Sequence, residues 1–402
     1  MTGLAAGSST ITASSGGVSA QVVVTVIAAQ SFVLTQVNAG PHTCGLTVAG
    51  AAWCWGRNLD GEIGDGTTVQ RARPVPVAGG QVFSQIVVGL QHTCARTGAG
   101  AVWCWGRNVE GQLGDGSFLM RNQPVQVQVP FPLAEITAGS LHTCGRATSG
   151  QVWCWGDNRF GQLGDGSLSV RNQATPVLGG LIFVQISAGQ DRTCGVIAAG
   201  QAWCWGSNGG TINPLFTDAV GILGVGSTAS PITQPMQVVG NIQWAEVSAG
   251  YRFACGRTPA SVVRCWGANT YVPGRGGQVG DGSLAPRIQP VLIATGAQTF
   301  TRVGAGFFSA CALDTVGEAW CWGTNFAGEV GDGGLADFPT SVHHPTPIKI
   351  VGGLRFVSLN MAKLNACGLT AAGDTWCWGS NAFGQIGDGT TTSRSSPVRV
   401  TP

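Results

Sequence analysis

Charge is scarce in this 402-residue chain: Asp, Glu, Lys and Arg together supply 10% of it, against about 25% in an average globular protein. Lysine occurs only at Lys349 and Lys363, and the formal net charge is +2. A basic footprint for nucleic acid or for an anionic membrane is therefore missing. No apolar run reaches the ~18 residues that a membrane-spanning helix needs. The Gly-, Ser-, Thr- and Val-rich composition is poor in helix formers and argues against helical bundles and α/β folds. Neither G-x-S-x-G, H-E-x-x-H nor a Walker loop is present. The unique carboxylates Glu135, Asp191, Asp218, Glu246, Asp314 and Asp337 show no tight pairing. An enzyme is not expected, nor a cofactor, a metal site or membrane insertion. Met1 is followed by neither a charged nor an apolar leader region, so either a signal peptide was removed or the chain is a fragment of a longer one.

What is abundant is glycine, with 64 residues, beside 44% hydrophobic content. That is enough for a core, so wholesale disorder is excluded and one large all-β domain is expected. Fourteen cysteines fall in seven pairs: Cys44 and Cys54, Cys94 and Cys104, Cys144 and Cys154, Cys194 and Cys204, Cys255 and Cys265, Cys311 and Cys321, Cys367 and Cys377. Every pair is ten residues apart and none is left over, which points to an oxidising compartment.

The first cysteines step by 50, 50, 50, 61, 56 and 56 residues, and the features around them keep one order. An apolar stretch ends near Ala-Gly (LAEITAG, FVQISAG), and a short segment carries the first cysteine (LHTC, DRTC). A WCWG strand, a GQLGDG-type loop and a P-x-x-V segment follow. Four short strands per ~53 residues, repeated seven times, predict a seven-bladed β-propeller of four-stranded blades. An open solenoid is the competing architecture and would leave both end faces uncapped. Whether the ring closes by a shared blade or by end-to-end packing stays open at this level.

The cysteine spacing has a geometric reading. A three-residue turn centred on Ala49 ends at Gly50, where a left-handed conformation suits glycine; Gly100, Gly150, Gly200, Gly317 and Gly373 recur at that place. Cys44 then stands opposite Cys54. With Thr47 and Ala51 closing the turn, the cysteines form a non-hydrogen-bonded pair about 4.5 Å apart at Cα, within disulfide reach. Seven disulfides are expected, with buried reduced thiols as the alternative. Zinc fits poorly, because there is no C-x-x-C and His precedes Cys only at His42, His92 and His142.

Alternation along Trp53-Cys54-Trp55 puts both indoles on one strand face and the sulfur on the other. Thirteen of the 14 tryptophans sit in such motifs, and Arg264 replaces one. Their role is read as packing between blades. Asp65, Asp115, Asp165, Asp281, Asp332 and Asp388 occupy Gly-Asp-Gly loops, with Val225 in repeat four. One Asp per loop is thin for calcium, whereas Asp beside Gly commonly bonds its own backbone. Asn58, Asn108, Asn158, Asn208, Asn269, Asn325 and Asn381 receive the same turn reading. His343-His344 reads as surface loop, with part of a metal site as the alternative.

The strings H-T-C-G-L, V-W-C-W-G-x-N and G-Q-L-G-D-G resemble repeats of the regulator of chromosome condensation family, over about residues 32–402. The resemblance implies a seven-bladed propeller. Paired cysteines, few lysines and no basic tail depart from the nuclear founding member, and secreted bacterial relatives look closer. Residues 1–30 resemble the last two strands of a bacterial immunoglobulin-like domain of the group 2 type. They read as a hairpin of Ser9–Ala13 and Ala20–Ile27 around a Ser-Ser-Gly-Gly turn. The expected division is thus 1–30, the hairpin segment, and 31–402, the propeller.

Departures from the repeat mark the candidate partner site. Insertions after Asn208 and Asn269 and the first-strand loops of repeats five and six are expected to open on one face. They carry Phe216, Tyr251, Arg252, Tyr271, Arg275, Phe307 and Phe308, and Tyr and Arg are typical interface anchors. The hairpin is either the stub of an upstream domain, or docks on its own propeller, or is donated to another copy through Val22, Val24 and Val26. Two functions follow as expectations. The first is a non-catalytic extracellular or cell-surface propeller serving as scaffold, adhesin or self-assembling subunit. The second is a soluble binding protein or inhibitor of an extracellular enzyme. In both, the partner is a protein.

Overall fold

The computed structural model describes residues 7–15, 18–26, 32–209, 221–272, 275–334 and 343–402, with backbone alone for 7–26 and 271–272. Two compact units divide the chain, Met1–Val33 and Leu34–Pro402. In the first, strands Gly7–Ser15 and Val18–Val26 pair antiparallel, from Ser15 opposite Val18 to Gly7 opposite Val26. The strands therefore run further than the sequence suggested. Ser14 and Ser15 belong to the ladder, and only Gly16-Gly17 separates the two strands, a connection length that glycine pairs favour. Ile27 lies outside the described residues.

In the second unit every blade is a four-stranded antiparallel meander built from consecutive chain. Blade one uses Leu34–Asn38, His42–Thr47, Ala52–Gly56 and Arg71–Pro76. Blade seven uses Ser358–Met361, Asn365–Leu369, Thr375–Gly379 and Arg394–Arg399. First strands of successive blades touch one another all the way round, blade seven against blade one included, so they line the axis. The unit is a seven-bladed, all-β propeller. It closes by end-to-end packing, since blade one and blade seven each hold four strands of their own. Across that seam Ala39 N donates to Asn360 Oδ1 (2.8 Å) and Gly389 N to Ala72 O (3.0 Å).

The hairpin geometry inferred from spacing is present. Thr47 N donates to Ala51 O (3.0 Å) and Gly50 N to Thr47 O (2.8 Å), with Gly50 at φ 76°. In blade five, where the glycine is missing, Ser261 takes the same turn position at φ 63°. Cys44 pairs with Cys54 across the ladder, and the two are disulfide-bonded with Cα atoms 4.1 Å apart, slightly closer than the expected spacing. The same bond joins Cys94 to Cys104, Cys144 to Cys154 and Cys194 to Cys204 in blades two to four. It joins Cys255 to Cys265, Cys311 to Cys321 and Cys367 to Cys377 in blades five to seven. All fourteen cysteines are fully buried, and none is a free thiol.

The tryptophans divide the work unequally. The second indole of each motif is fully buried, and its Nε1 donates to a backbone carbonyl of the preceding blade. Trp105 reaches Glu62 O at 2.8 Å, and Trp55 closes the ring by reaching Gln385 O at 3.0 Å. The first indole is only half-buried, and Trp103, Trp203, Trp320 and Trp376 pack against the margins of the buried clusters, so the second indole fills the inter-blade core and the first borders it. That difference explains why Arg264 is tolerated at a first position. On the outermost strands, Pro74, Pro124, Pro235, Pro290, Pro347 and Pro397 each remove a backbone donor, which discourages edge-to-edge pairing.

Side chains splice the inner strands together. Gln36 exchanges two amide bonds with Ile86 (3.1 and 3.0 Å); Gln85 does so with Ile136 and Gln185 with Val247. Two residues along, Thr137, Ser187 and Ser248 accept the N–H of Ala188, Ala249 and Ala305 in the next blade. Blade six carries Arg302 and Gly304 at these two positions, and no such bond joins it to blade seven among the described residues. A Cβ at Gly304 would stand 3.7 Å from Met361 N, in ordinary contact with its neighbours. Gly304→Ser is expected to supply the missing acceptor and to stabilise the fold by roughly 1 kcal/mol, from one net hydrogen bond and a less flexible unfolded chain. Denaturant midpoints of the two proteins check this.

Candidate binding face

Each first strand ends in a short loop, and the seven loops meet around the axis on one face. They approach so closely that a Cβ on Gly189 would lie 2.3 Å from Gly250 O. Tyr251 N donates to Gly306 O (3.0 Å) and Phe307 N to Ala362 O (3.2 Å). Leu90, Ser140, Gln190, Tyr251, Phe307 and Lys363 succeed one another around this rim and help line a cavity of about 200 Å³. The loop after each third strand opens on the same face: Arg57 N donates to Pro41 O (3.0 Å) and Gln91 Nε2 to Asp60 Oδ2 (3.3 Å).

Tyr251 stacks on Phe307 with centroids 4.5 Å apart and planes at 15°. Phe308 meets both rings edge-on, at 5.4 and 5.6 Å. Lys363 Nζ lies 5.1 Å from the Phe307 centroid, a cation–π distance. A strip therefore crosses blades five, six and seven. Of the residues expected to share this sector, Tyr251, Phe307 and Phe308 come together, and half-buried Arg252 follows Tyr251 in its loop. Arg275 belongs to a short ladder of Thr270–Val272 and Arg275–Gly276. Phe216 and the side chain of Tyr271 lie outside the described residues, as do Asp218 and Asp337. Val22, Val24 and Val26 alternate along the second hairpin strand, opposite Ile11, Ser9 and Gly7. Sequence reasoning missed Lys363, although it is one of two lysines and holds the rim position of Tyr251 and Phe307.

Beneath the rim runs a ring of buried polar groups. Thr143 Oγ1 donates to Gln112 O (3.0 Å), so the His92 Nε2 that meets it at 2.9 Å carries the proton and donates. His42–Thr93 and His142–Thr193 repeat the arrangement. The Nδ1 atoms of His42, His92 and His142 have no protein partner. Burial pulls these imidazoles down to about 3, 3 and 4. Blade four places Arg192 here, fully buried, with Nε and Nη1 unpartnered and pulled down by burial to about 9. Burial lifts neighbouring Asp191 to about 6 and Glu329, in the blade-six loop, to about 7.

The Gly-Asp-Gly loops prove architectural. Asp65 Oδ1 accepts from Thr67 N (2.9 Å) and Thr67 Oγ1 (2.6 Å), and Oδ2 takes two bonds from Arg71. Asp115–Arg121, Asp165–Arg171, Asp281–Arg287 and Asp388–Arg394 repeat the pair. The Arg partner was legible but unread: it stands six residues after each Asp, and repeat four lacks both. In blade six His344 Nε2 meets Asp332 Oδ2 at 2.9 Å and fills the arginine's place. His343-His344 therefore begins the outer strand His343–Lys349, which corrects the surface-loop reading. Asn58 Oδ1 accepts from Ile63 N (2.9 Å), and the other six recurrent asparagines tie their loops likewise. No group of three or more His, Cys, Asp or Glu converges on a metal-holding point among the described residues.

A closed radial ring of seven four-stranded meanders defines the class of the second unit, the β-propeller. Residues 49–96, 99–145, 149–196 and 372–402 match the model of the regulator of chromosome condensation (RCC1) repeat, and a second model of the same description matches 83–112 and 134–162. Each full match joins the outer half of one blade to the inner half of the next. Among curated proteins, the ultraviolet-B receptor UVR8 of Arabidopsis thaliana is 28% identical over 45% of this chain and 39% of its own length. The probable E3 ubiquitin-protein ligase HERC4 of Homo sapiens is 26% identical over 42% of this chain and 15% of its own. The matches thus span well under half of these relatives. Among solved structures, yeast RCC1 (Prp20) bound to Kap60 superposes with a TM-score of 0.75 at 18% identity, covering 92% of this chain and 86% of that one.

Proposed function

We propose that this chain is a non-catalytic, protein-binding propeller that works outside the reducing cytoplasm and engages its partner through the Tyr251–Phe307–Phe308 face. The observation that carries the reading is the set of seven buried disulfides, one per blade, with no free cysteine. A reducing compartment would not let that set form as the chain folds. The RCC1-like scaffold, solved elsewhere with a bound protein, supports the partner class. Aromatic rings grouped on rigid loops are the kind of anchor that dominates protein interfaces. A role as scaffold or adhesin at a cell surface fits best; an inhibitor of an extracellular enzyme would use the same face.

Copies of the chain and surface extracts of its source organism are the partners to offer first. Tyr251→Ser with Phe307→Ser is expected to abolish a captured interaction, a loss of at least about 2 kcal/mol, while the melting temperature stays nearly unchanged. Retained binding with both rings removed overturns the site. The hairpin carries the assembly reading: light scattering on the intact chain and on one lacking residues 1–30 separates polymer from monomer.

A further inference from the structure

Beside the aromatic strip lies a groove of about 310 Å³ at the seam where blade seven meets blades one and two. Its walls are apolar, from Pro41, Leu90, Leu364 and Phe383. Its hydrogen-bonding groups are unbalanced. The acids nearby are satisfied, because Arg57 pairs with both Asp60 and Glu62 and Gln91 donates to Asp60. The Gln385 amide is used too: its Oε1 accepts from Phe383 N and its Nε2 donates to Ser380 Oγ. Two donors stand out beside these satisfied groups. Asn365 lines the groove at 2% exposure, and its Nδ2 has no protein partner. In blades one to three the same position is a histidine long enough to reach the next blade's threonine, which the shorter Asn365 does not do. Lys363 lines the groove as well, exposed, and forms no ion pair among the described residues.

We infer that this groove binds a carboxylate carried next to an apolar side chain, with Lys363 and Asn365 holding the anion and Phe383 and Leu364 holding the apolar part. The volume suits one aromatic or branched residue and its carboxylate. A cation and an unpartnered neutral donor, beside carboxylates already paired with Arg57, complement an anion. Because Lys363 also covers the Phe307 ring, an occupied groove continues the aromatic strip. The inference rests on the face assigned above and specifies its partner as a peptide segment with an acidic anchor. That carboxylate comes either from a chain terminus or from an Asp or Glu beside an apolar residue.

The test is titration of the intact protein, followed by ligand-observed NMR, with N-acetylphenylalanine, its carboxamide, and the dipeptide amides N-acetyl-Asp-Phe and N-acetyl-Asn-Phe. At least one acidic probe should bind with a millimolar dissociation constant, and its neutral counterpart at least tenfold more weakly. The acid that wins tells terminus from side chain. Lys363→Met and Phe383→Ala should each weaken that probe about tenfold or more, and raising salt should weaken it in the wild type. Lys363 is exposed, so its variant keeps the fold, which the melting temperature verifies. Equal affinity for acid and amide, no binding by 20-fold above ~1 mM, or an unchanged constant in Lys363→Met overturns the groove assignment. If the groove fails this way while Tyr251→Ser with Phe307→Ser still abolishes a partner interaction, the face stands and only its acidic anchor falls.

Discussion

Once all seven disulfides are reduced in denaturant, dilution under reducing conditions is expected to leave the chain unfolded. Each bridge closes a ring of eleven residues between partners ten apart in sequence, worth about 2.7 kcal/mol in the chain-entropy model. The seven rings do not overlap, so their constraints on the unfolded chain add, to roughly 19 kcal/mol. That exceeds the ~5–15 kcal/mol net stability of an ordinary domain. Removing one bridge, as in Cys94→Ala with Cys104→Ala, should cost about the single-ring value and leave a folded propeller. The native protein should meanwhile resist reductant without denaturant, because every sulfur is fully buried. Oxidative refolding should recover native pairs readily: closing a ring of eleven rather than one of about forty is favoured roughly sevenfold. Circular dichroism after dilution, with and without reductant, reads the outcome. A folded, fully reduced propeller would remove the disulfides as the basis for an extracellular assignment.

The same local character explains what the sequence made legible. Cys44 and Cys54 sit in one hairpin whose turn is set by Gly50, so spacing alone fixes their register and reach. The blade count follows because each blade is one contiguous meander. Elements that depend on two blades were harder to see. That the buried indole is Trp55 rather than Trp53 depends on the carbonyl of Gln385, more than three hundred residues away. Ring closure depends on Asn360 meeting Ala39, and no spacing encodes that. Lys363 went unread for the same reason, since its meaning comes from Phe307 in the neighbouring blade. The Asp65–Arg71 pair lies within one repeat and was available from comparing repeats with each other. Tyr251, Phe307 and Phe308 were found because they break a pattern that the other repeats define.

Stability should also fall in acid, steeply only below pH 5, and the buried histidines are the reason. In the unfolded chain each imidazole takes up a proton near pH 6.5; in the native state His42 and His92 resist to about 3 and His142 to about 4. Between those limits the unfolded state binds more protons, so lowering pH favours unfolding. Stability is fully present above 6.5 and lost as pH falls toward the native values. From pH 7 to 5 each histidine removes about 2 kcal/mol. Glu329 and Asp191 act in the opposite sense, because their carboxyls are raised to about 7 and 6 and their stabilisation is present in acid and lost as pH rises. Over the same interval they return about 2 and 1 kcal/mol. The net loss is therefore modest to pH 5, and it steepens below, where the carboxyl terms saturate and the histidine terms continue. His92→Asn isolates one contribution, since Asn365 shows that asparagine fits this position in blade seven. At pH 7 the variant should be about 1 kcal/mol less stable for want of the Thr143 bond. At pH 4.5 it should be the more stable protein, because the wild-type imidazole then costs about 2.7 kcal/mol. Denaturant midpoints measured from pH 7 to 4 should cross; parallel curves would mean that His92 takes up its proton as readily in the native blade as in the unfolded chain.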